Sequence, residues 1–410
     1  MRYAAAMMTT TQPWASTAAT LAGGLERPVA LVDLDAMDRN LDRMLAQIAR
    51  PDLPLRIASK SVRHVGLLRR LLDRGGDRCR GLMCFAVDEA CALADRGFDD
   101  LLVAYPTVQA GPLARLAERV AAGVTASVVV DGVAQVDALA AAGRAAGTTL
   151  AAVLEVDLSW RPLGGRVHLG VRRSPIRTPE AAVALARHIA STDGVELGGV
   201  MGYEAQIAGL ADALPGARVE SAARRWMKRR SQPAANALRG AVVDALVADG
   251  HRVPLVNGGG TGSLAATSRD PSVTEVTAGS GALCPHLFDA YASLDLEPAA
   301  VFALEVVRRS DDGLVTCAGG GYVASGPPAV DRLPRPVWPP GLTYLPHEGA
   351  GEVQTPLAGA PSTLAVGDTV VFRHAKAGEL AERFATYALV RDGQVVATEP
   401  TYRGEGLTFF

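Results

Sequence analysis

From residue 29 onward, short apolar runs alternate with longer amphipathic stretches. The runs are VALVDL (29–34), LRIAS (55–59), GLMCFA (81–86), LLVAY (101–105), TASVVVD (125–131), LAAVLEVDL (150–158), LGGVMGY (197–203), VPLVNGG (253–259) and VTEVTAG (273–279). Between them lie Ala- and Leu-rich segments with polar residues every three or four positions, such as HVGLLRRLLDRG and TPEAAVALARHIAS, and a long basic segment around 217–249. A run that is apolar at nearly every position predicts a strand buried on both faces, and a helix after each strand makes the neighbours parallel. Nine such strands over about 250 residues suit an α/β fold closed as a (β/α)8 TIM-like barrel better than an open sheet. A ring of eight leaves one strand over, which either pairs outside the barrel or is not a strand.

After residue 290 the texture changes. FALEVVRRSDDGLVTCAGG, DTVVFRH and YALVRDGQVVATEP are β-rich pieces, and their DDG and RDG junctions predict the hairpins of an antiparallel β domain. The proline-dense stretch SGPPAVDRLPRPVWPPG predicts an irregular loop. The expected partition is an N-terminal segment (1–28) available to the β domain, a barrel (29–290) and a C-terminal β domain (291–410).

Composition narrows the function classes. Hydrophobic residues at 49% supply a large core, while 41 Lys plus Arg against 43 Asp plus Glu leave a net charge of −2. Neither a nucleic acid nor an anionic membrane surface is therefore expected as a partner. Five cysteines (Cys79, Cys84, Cys91, Cys284, Cys317), odd in number and without CxxC spacing, fit reduced thiols better than a disulfide framework. No apolar run approaches the ~18–20 residues that span a bilayer, and the first 28 residues lack the continuous apolar core of a signal peptide. The expectation is a cytoplasmic protein acting on small molecules.

In a β/α barrel, chemistry gathers where strands end, and three strand ends are unusual. Lys60, in Ser59-Lys60-Ser61, closes an apolar strand, where burial disfavours the ammonium and frees the amine as a nucleophile for a carbonyl. The alternative is a lysine snorkelling to water. Asn257-Gly258-Gly259-Gly260-Thr261-Gly262-Ser263 follows a buried strand, and its free backbone N–H groups beside a helix start favour an anion. A plain flexible turn is the alternative; no GK[ST] follows, and the loop lies too late in the chain for a dinucleotide fingerprint. Ala278-Gly279-Ser280-Gly281 sits one strand later, so both glycine loops are placed to grip one phosphate. With a strand-end lysine, they point to a phosphorylated cofactor bearing an aldehyde, pyridoxal 5'-phosphate.

The order VALVDLDAMDRNLDRM, LRIASKSVRH, YEAQIAG, NGGGTGS and TEVTAGSG resembles the D-threonine aldolase and D-serine dehydratase family of alanine-racemase-like, fold-type III pyridoxal phosphate enzymes. The resemblance spans residues 28–292 and continues weakly into the β domain. It implies that Lys60 forms the Schiff base, and that Gly259, Gly260, Thr261 and Gly262, with Gly279 and Ser280, hold the phosphate. Tyr203 falls where the family has an aromatic residue near the cofactor, and Arg172 falls on a cofactor-side loop. His64 reads as an ordinary first-turn surface histidine. The resemblance also implies a small-molecule amino acid substrate and a homodimer.

Departures from the family bear on the metal. Relatives commonly hold a divalent cation with a His-x-Cys or His-x-Asp pair in the C-terminal domain. Here RHAKAGE (373–379) retains His374 but puts Lys376 at the second position, and an ammonium cannot coordinate a cation. Gln354 stands where an upstream family histidine would, with His347 close by as an alternative. No metal is therefore expected, with Lys376 supplying positive charge near the substrate and His374 or Lys376 activating it. The resulting expectation is a lyase that cleaves the Cα–Cβ bond of a D-configured β-hydroxy-α-amino acid by retro-aldol chemistry. A dehydratase, a racemase using Tyr322 or Tyr344 as second base, and a cofactor carrier without turnover are the alternatives.

Overall fold

The first apolar run, β1 (Val29–Asp33), lies outside the ring, and the other eight close it. In this computed structural model, which describes residues 13–409, β2 (Leu55–Ala58), β3 (Cys79–Cys84), β4 (Leu101–Val103), β5 (Ala126–Val130), β6 (Leu150–Glu155), β7 (Val195–Gly202), β8 (Leu255–Gly258) and β9 (Glu275–Ala278) form a closed parallel barrel in chain order. Their helices pack outside it, so the C-terminal strand ends share one face.

A nine-stranded sheet takes the remaining strands. They are β10 (Ala300–Arg309), β11 (Val315–Ala318), β12 (Arg335–Trp338), β13 (Thr343–Tyr344), β14 (Gln354–Ala358), β15 (Thr369–Arg373), β16 (Thr386–Arg391) and β17 (Gln394–Pro400), with β1 between β10 and β16. β1 pairs antiparallel with β10 and parallel with β16. The barrel expected from residue 29 therefore has no strand at 29–33. Ala30 and Val32 face the main core, while Leu31 packs with Val301, Val371 and Val390 beneath the helix Pro13–Gly23. A strand buried on both faces carries the same apolar run in either location. The remainder of the N-terminal segment, residues 1–12, lies outside the described residues.

Both expected hairpins form. β10 and β11 join across Asp311-Asp312-Gly313, and β16 and β17 join across Asp392-Gly393. Asp392 and Gly393 both have positive φ, 48° and 70°, which matches the twist of the flanking strands. The proline-dense stretch departs from expectation in one place. β12, with Pro336 inside it, pairs with β15 through a register shift, an arrangement an edge strand tolerates.

A buried carboxyl links the barrel to the chain's C-terminal segment. Glu89 Oε2 accepts the Phe85 N–H at 2.6 Å, and Oε1 accepts the Tyr402 hydroxyl at 3.1 Å. Burial pushes the Glu89 carboxyl up to about 7, against the hydrogen bonds that favour its ionised form. A pKa raised in the folded state means that the native chain keeps a proton the unfolded chain has released. Stability present below the ordinary carboxylate value is therefore lost as pH rises through 7, on the order of 2–3 kcal/mol. Glu89→Gln keeps an acceptor for Phe85 and removes the titration. Between pH 5 and 8, the thermal midpoint of the wild type should fall more than that of Glu89→Gln; equal slopes would exclude this role.

Candidate functional site

Lys60 follows β2 in a single tight turn, Ser59–Ser61, closed by Val62 and Arg63 N–H bonds to the Ser59 carbonyl. The chain has three lysines. Lys228 is bonded to Asp212 at 3.0 Å, and Lys376 is engaged on the C-terminal sheet domain. Lys60 alone stands at a barrel strand's C-terminal end, where it is accessible to solvent.

Both glycine loops meet this turn. The Ser280 hydroxyl lies 2.9 Å from that of Ser61, and a Cβ on Gly279 would stand 2.6 Å from the Ala58 carbonyl. The Gly281 N–H donates to Thr261 Oγ1 at 3.2 Å, tying the loop after β9 to the loop after β8. Gly259 has φ +95°, a conformation that needs glycine. The structure thus brings Lys60, Gly259, Gly260, Thr261, Gly262, Gly279 and Ser280 together at adjoining strand ends. The backbone N–H groups of Thr261, Gly262, Gly279 and Ser280 have no acceptor within the described chain. Converging unpaired N–H donors fit a phosphate dianion, and a nearby primary amine fits an aldehyde. These residues therefore fit pyridoxal phosphate. The Asn257 side chain turns inward instead, donating to Glu275 and Thr277 at 2.7 Å each.

Tyr203, at the end of β7, backs the glycine loop: a Cβ on Gly260 would stand 3.2 Å from its ring. Burial, together with the Glu204 carboxylate, pushes its phenol up to about 12. The guanidinium of Arg173 lies 5.9 Å from the Tyr203 ring centroid and 5.8 Å from that of Tyr105, and its neighbour Arg172 is exposed. Tyr105 follows β4, and its hydroxyl accepts a 2.7 Å hydrogen bond from Lys60 Nζ. Glu155, the last residue of β6, is pushed up to about 7 by burial, with Arg173 opposing the shift. The sequence reading passed over Tyr105, Arg173 and Glu155. The rule that selected Lys60, a polar group at a strand's C-terminal end, also selects Tyr105 and Glu155.

A buried ionic strut supports the glycine loop from below. Glu204 Oε2 accepts the Gly259 N–H at 3.0 Å, and Oε1 accepts from Thr267 Oγ1 and Arg239 Nη2 at 2.7 Å each. Arg239, fully buried on the long helix Arg218–Ala248, also pairs with Asp270.

The loop carrying His374 and Lys376 reaches the same turn through its backbone. A Cβ on Gly378 would stand 1.9 Å from the Lys60 carbonyl oxygen. The side chains find other surroundings. His374 is buried with neither ring nitrogen hydrogen-bonded, and burial, with Arg373 and His286 nearby, pushes it down to about 3. Lys376 Nζ lies 2.7 Å from Ser325 Oγ and 3.6 Å from Glu379. Gln354 and His347 are exposed. Among the described residues, no three His, Cys, Asp or Glu side chains converge as a metal-binding group. An imidazole with an ammonium two residues on does not fit the donor set of a divalent cation.

Three other residues have structural surroundings. His64, expected at the surface, is buried; its Nδ1 accepts the Leu67 N–H at 3.1 Å, capping the helix Val65–Gly75, and its ring stacks on Tyr387. The Tyr322 ring packs against Phe302 and Phe384, and the Tyr344 hydroxyl donates to the Pro334 carbonyl. Among the described residues, no helix is long and apolar enough to cross a membrane.

Known proteins are similar to this chain in sequence and fold. The 3-hydroxy-D-aspartate aldolase of Paracoccus denitrificans is 29% identical over 256 residues, 62% of this chain and 60% of that protein. The D-threo-3-hydroxyaspartate dehydratase of Delftia sp. is 29% identical over 255 residues, again 62% and 60%. The aligned region thus spans about three fifths of these curated relatives. Among solved structures, D-threonine aldolase from Filomicrobium marinum superposes with TM-score 0.77 at 23% identity, covering 93% of this chain and 96% of that one. The family model of the alanine racemase N-terminal domain matches residues 32–280, from β1 to the second glycine loop. The chain belongs to the alanine racemase N-terminal domain family.

Proposed function

We propose that this protein is a pyridoxal phosphate-dependent lyase that cleaves the Cα–Cβ bond of a D-configured β-hydroxy-α-amino acid to an aldehyde and a smaller amino acid. One observation carries the reading: the solvent-accessible Lys60 amine shares a strand-end surface with two glycine loops in which the N–H groups of Thr261, Gly262, Gly279 and Ser280 have no acceptor among the described residues. The D-configuration follows the relatives, which act on 3-hydroxy-D-aspartate and D-threo-3-hydroxyaspartate.

Pyridoxal phosphate, when bound, supplies the electron sink for the pair left on Cα as the bond breaks. The chain supplies position and proton handling. The amides of Thr261, Gly262, Gly279 and Ser280 would hold the phosphate, and Lys60 would hold the aldehyde carbon. Tyr203 and Arg173 wall one side, and the guanidinium favours a substrate carboxylate. The β-hydroxyl proton leaves to solvent as the Cα–Cβ bond breaks and the carbonyl forms, and a proton from solvent takes the place of the lost carbon on Cα. In this reading the step runs without a metal, because His374 with Lys376 two residues on does not fit the donor set of a divalent cation.

Product analysis tests the reading. With the holoenzyme, a D-β-hydroxy-α-amino acid such as D-threonine should give aldehyde and glycine in equal amounts, and a chelator should leave the rate within about twofold. Keto acid plus ammonia would assign a dehydratase, the inverted substrate a racemase, and no turnover a carrier. Loss of activity on chelation, restored by zinc or manganese, would overturn the metal-independent part.

A further inference from the structure

The turn that carries Lys60 is fastened to the sheet domain through the residue three positions on. Arg63 curls back so that its Nε donates to the Lys60 carbonyl at 3.2 Å, while its Nη1 donates to Glu382. The Arg63 carbonyl accepts the Tyr402 N–H at 2.9 Å, and the guanidinium lies 5.0 Å from the Phe85 ring centroid. Glu382 and Tyr402 come from the C-terminal part of the chain, whereas Phe85 follows the barrel strand β3. We propose that Arg63 is a positioning residue for Lys60, coupling the sheet domain to the direction in which the amine enters the barrel mouth. This rests on the reading of Lys60 as the carbonyl nucleophile.

The backbone of Arg63 supports this. Its φ is +51°, a left-handed conformation that strains an L side chain and that glycine adopts freely. The contacts of the arginine side chain offset that strain, and they run to both domains. The Lys60 carbonyl is enclosed from a second side: a Cβ on Gly378, at φ +72°, would stand 1.9 Å from its oxygen. The Val62 and Arg63 N–H groups both donate to the Ser59 carbonyl, so the peptide after Lys60 is held in one orientation. That orientation sets the Cα–Cβ bond of Lys60 and the arc its flexible stem can sweep. Tyr105 holds only the far end of that stem. A displacement of about 1 Å costs on the order of 10²-fold when a nucleophile must meet a fixed carbonyl. The loops that would hold the phosphate follow β8 and β9 and are supported by Glu204 and Thr261. Cofactor capture and amine presentation are thus borne by different residues.

Arg63→Gly removes the side chain and leaves the left-handed backbone to a residue at ease in it. Apoprotein is mixed with pyridoxal phosphate at increasing concentration, the adduct is trapped with borohydride, and its site is mapped among the three lysines. The rate of Lys60 adduct formation at saturating cofactor should fall about tenfold or more, with the half-saturating concentration unchanged within about twofold. The thermal midpoint should stay within about 5 °C of the wild type. Glu382→Gln alters a partly exposed carboxylate, keeps Arg63 and loosens its tether. It should lower the same saturating rate about threefold, and it decides the matter if Arg63→Gly does not fold. A saturating rate equal to that of the wild type would overturn the proposal while leaving Lys60 as nucleophile. So would a loss explained by weaker cofactor capture or by a matching fall in the thermal midpoint. Absence of any Lys60 adduct in the wild type would overturn the cofactor reading together with it.

Discussion

Lys60→Ala is expected to abolish the visible absorbance band of the protein–pyridoxal phosphate adduct and to reduce turnover by on the order of 10³-fold or more, about 4 kcal/mol of barrier. The fold should survive the change. Lys60 is solvent-accessible, and its side chain has one hydrogen bond, to Tyr105, so the truncation buries no unpaired charge. The other lysines are poorly placed to substitute. Lys228 is partly buried against Asp212 and the Tyr291 ring, and Lys376 is tied to Ser325 and Glu379. A borohydride-trapped adduct appearing at Lys228 or Lys376 in the wild type, or a full-strength band in Lys60→Ala, would remove Lys60 from its assigned role. An unchanged circular dichroism spectrum and melting temperature complete the measurement, because they separate a lost nucleophile from a lost fold.

The parts of this molecule that could be read from the sequence are those encoded within one element. Each barrel strand is a local apolar run, each hairpin a local Asp-Gly pair, and each anion loop a local glycine cluster. Lys60 was legible because a charged residue closing an apolar strand is anomalous where it stands. What could not be read depends on comparison across distance. β1 carries the same continuous apolar pattern as a barrel strand, because the sheet and the helix Pro13–Gly23 cover its two faces as completely as a barrel would. Burial sets the pattern, and burial does not say which neighbour supplies it. His64 escaped for a related reason: a polar residue at a helix start reads as exposed, yet its capping bond to Leu67 lets the ring be buried.

The second glycine loop and Lys60 illustrate the intermediate case. Their chemistry was local, but their convergence rested on the barrel closing in chain order, which places the end of β9 beside the end of β2. Tyr105 needed both steps at once. Its position after β4 was visible, but its selection over other tyrosines follows only from the hydrogen bond to Lys60 and the guanidinium above its ring. Arg173 lies on an irregular loop, whose geometry no periodicity encodes.

Arg239→Ala should destabilise the protein by roughly 3–5 kcal/mol, because it leaves two carboxylates in the interior without their cation. Glu204 and Asp270 are nearly inaccessible, and each pairs with this guanidinium. The consequence for the site should exceed that of an equal loss elsewhere. Glu204 holds the Gly259 N–H and the Thr267 hydroxyl, so a carboxyl that protonates or turns away releases the loop that would hold the phosphate. Pyridoxal phosphate affinity should therefore fall about tenfold or more in the fraction that remains folded. Three neutral substitutions together, Arg239→Met, Glu204→Gln and Asp270→Asn, remove the charges while keeping an acceptor for Gly259. They should recover most of the stability, since replacing a whole buried ionic group is often neutral where breaking it is not. Chemical denaturation of the two variants decides the matter. If Arg239→Ala unfolds at the wild-type midpoint, the strut does not hold the loop; if the triple variant is as unstable as the single one, shape rather than charge at position 239 supports it.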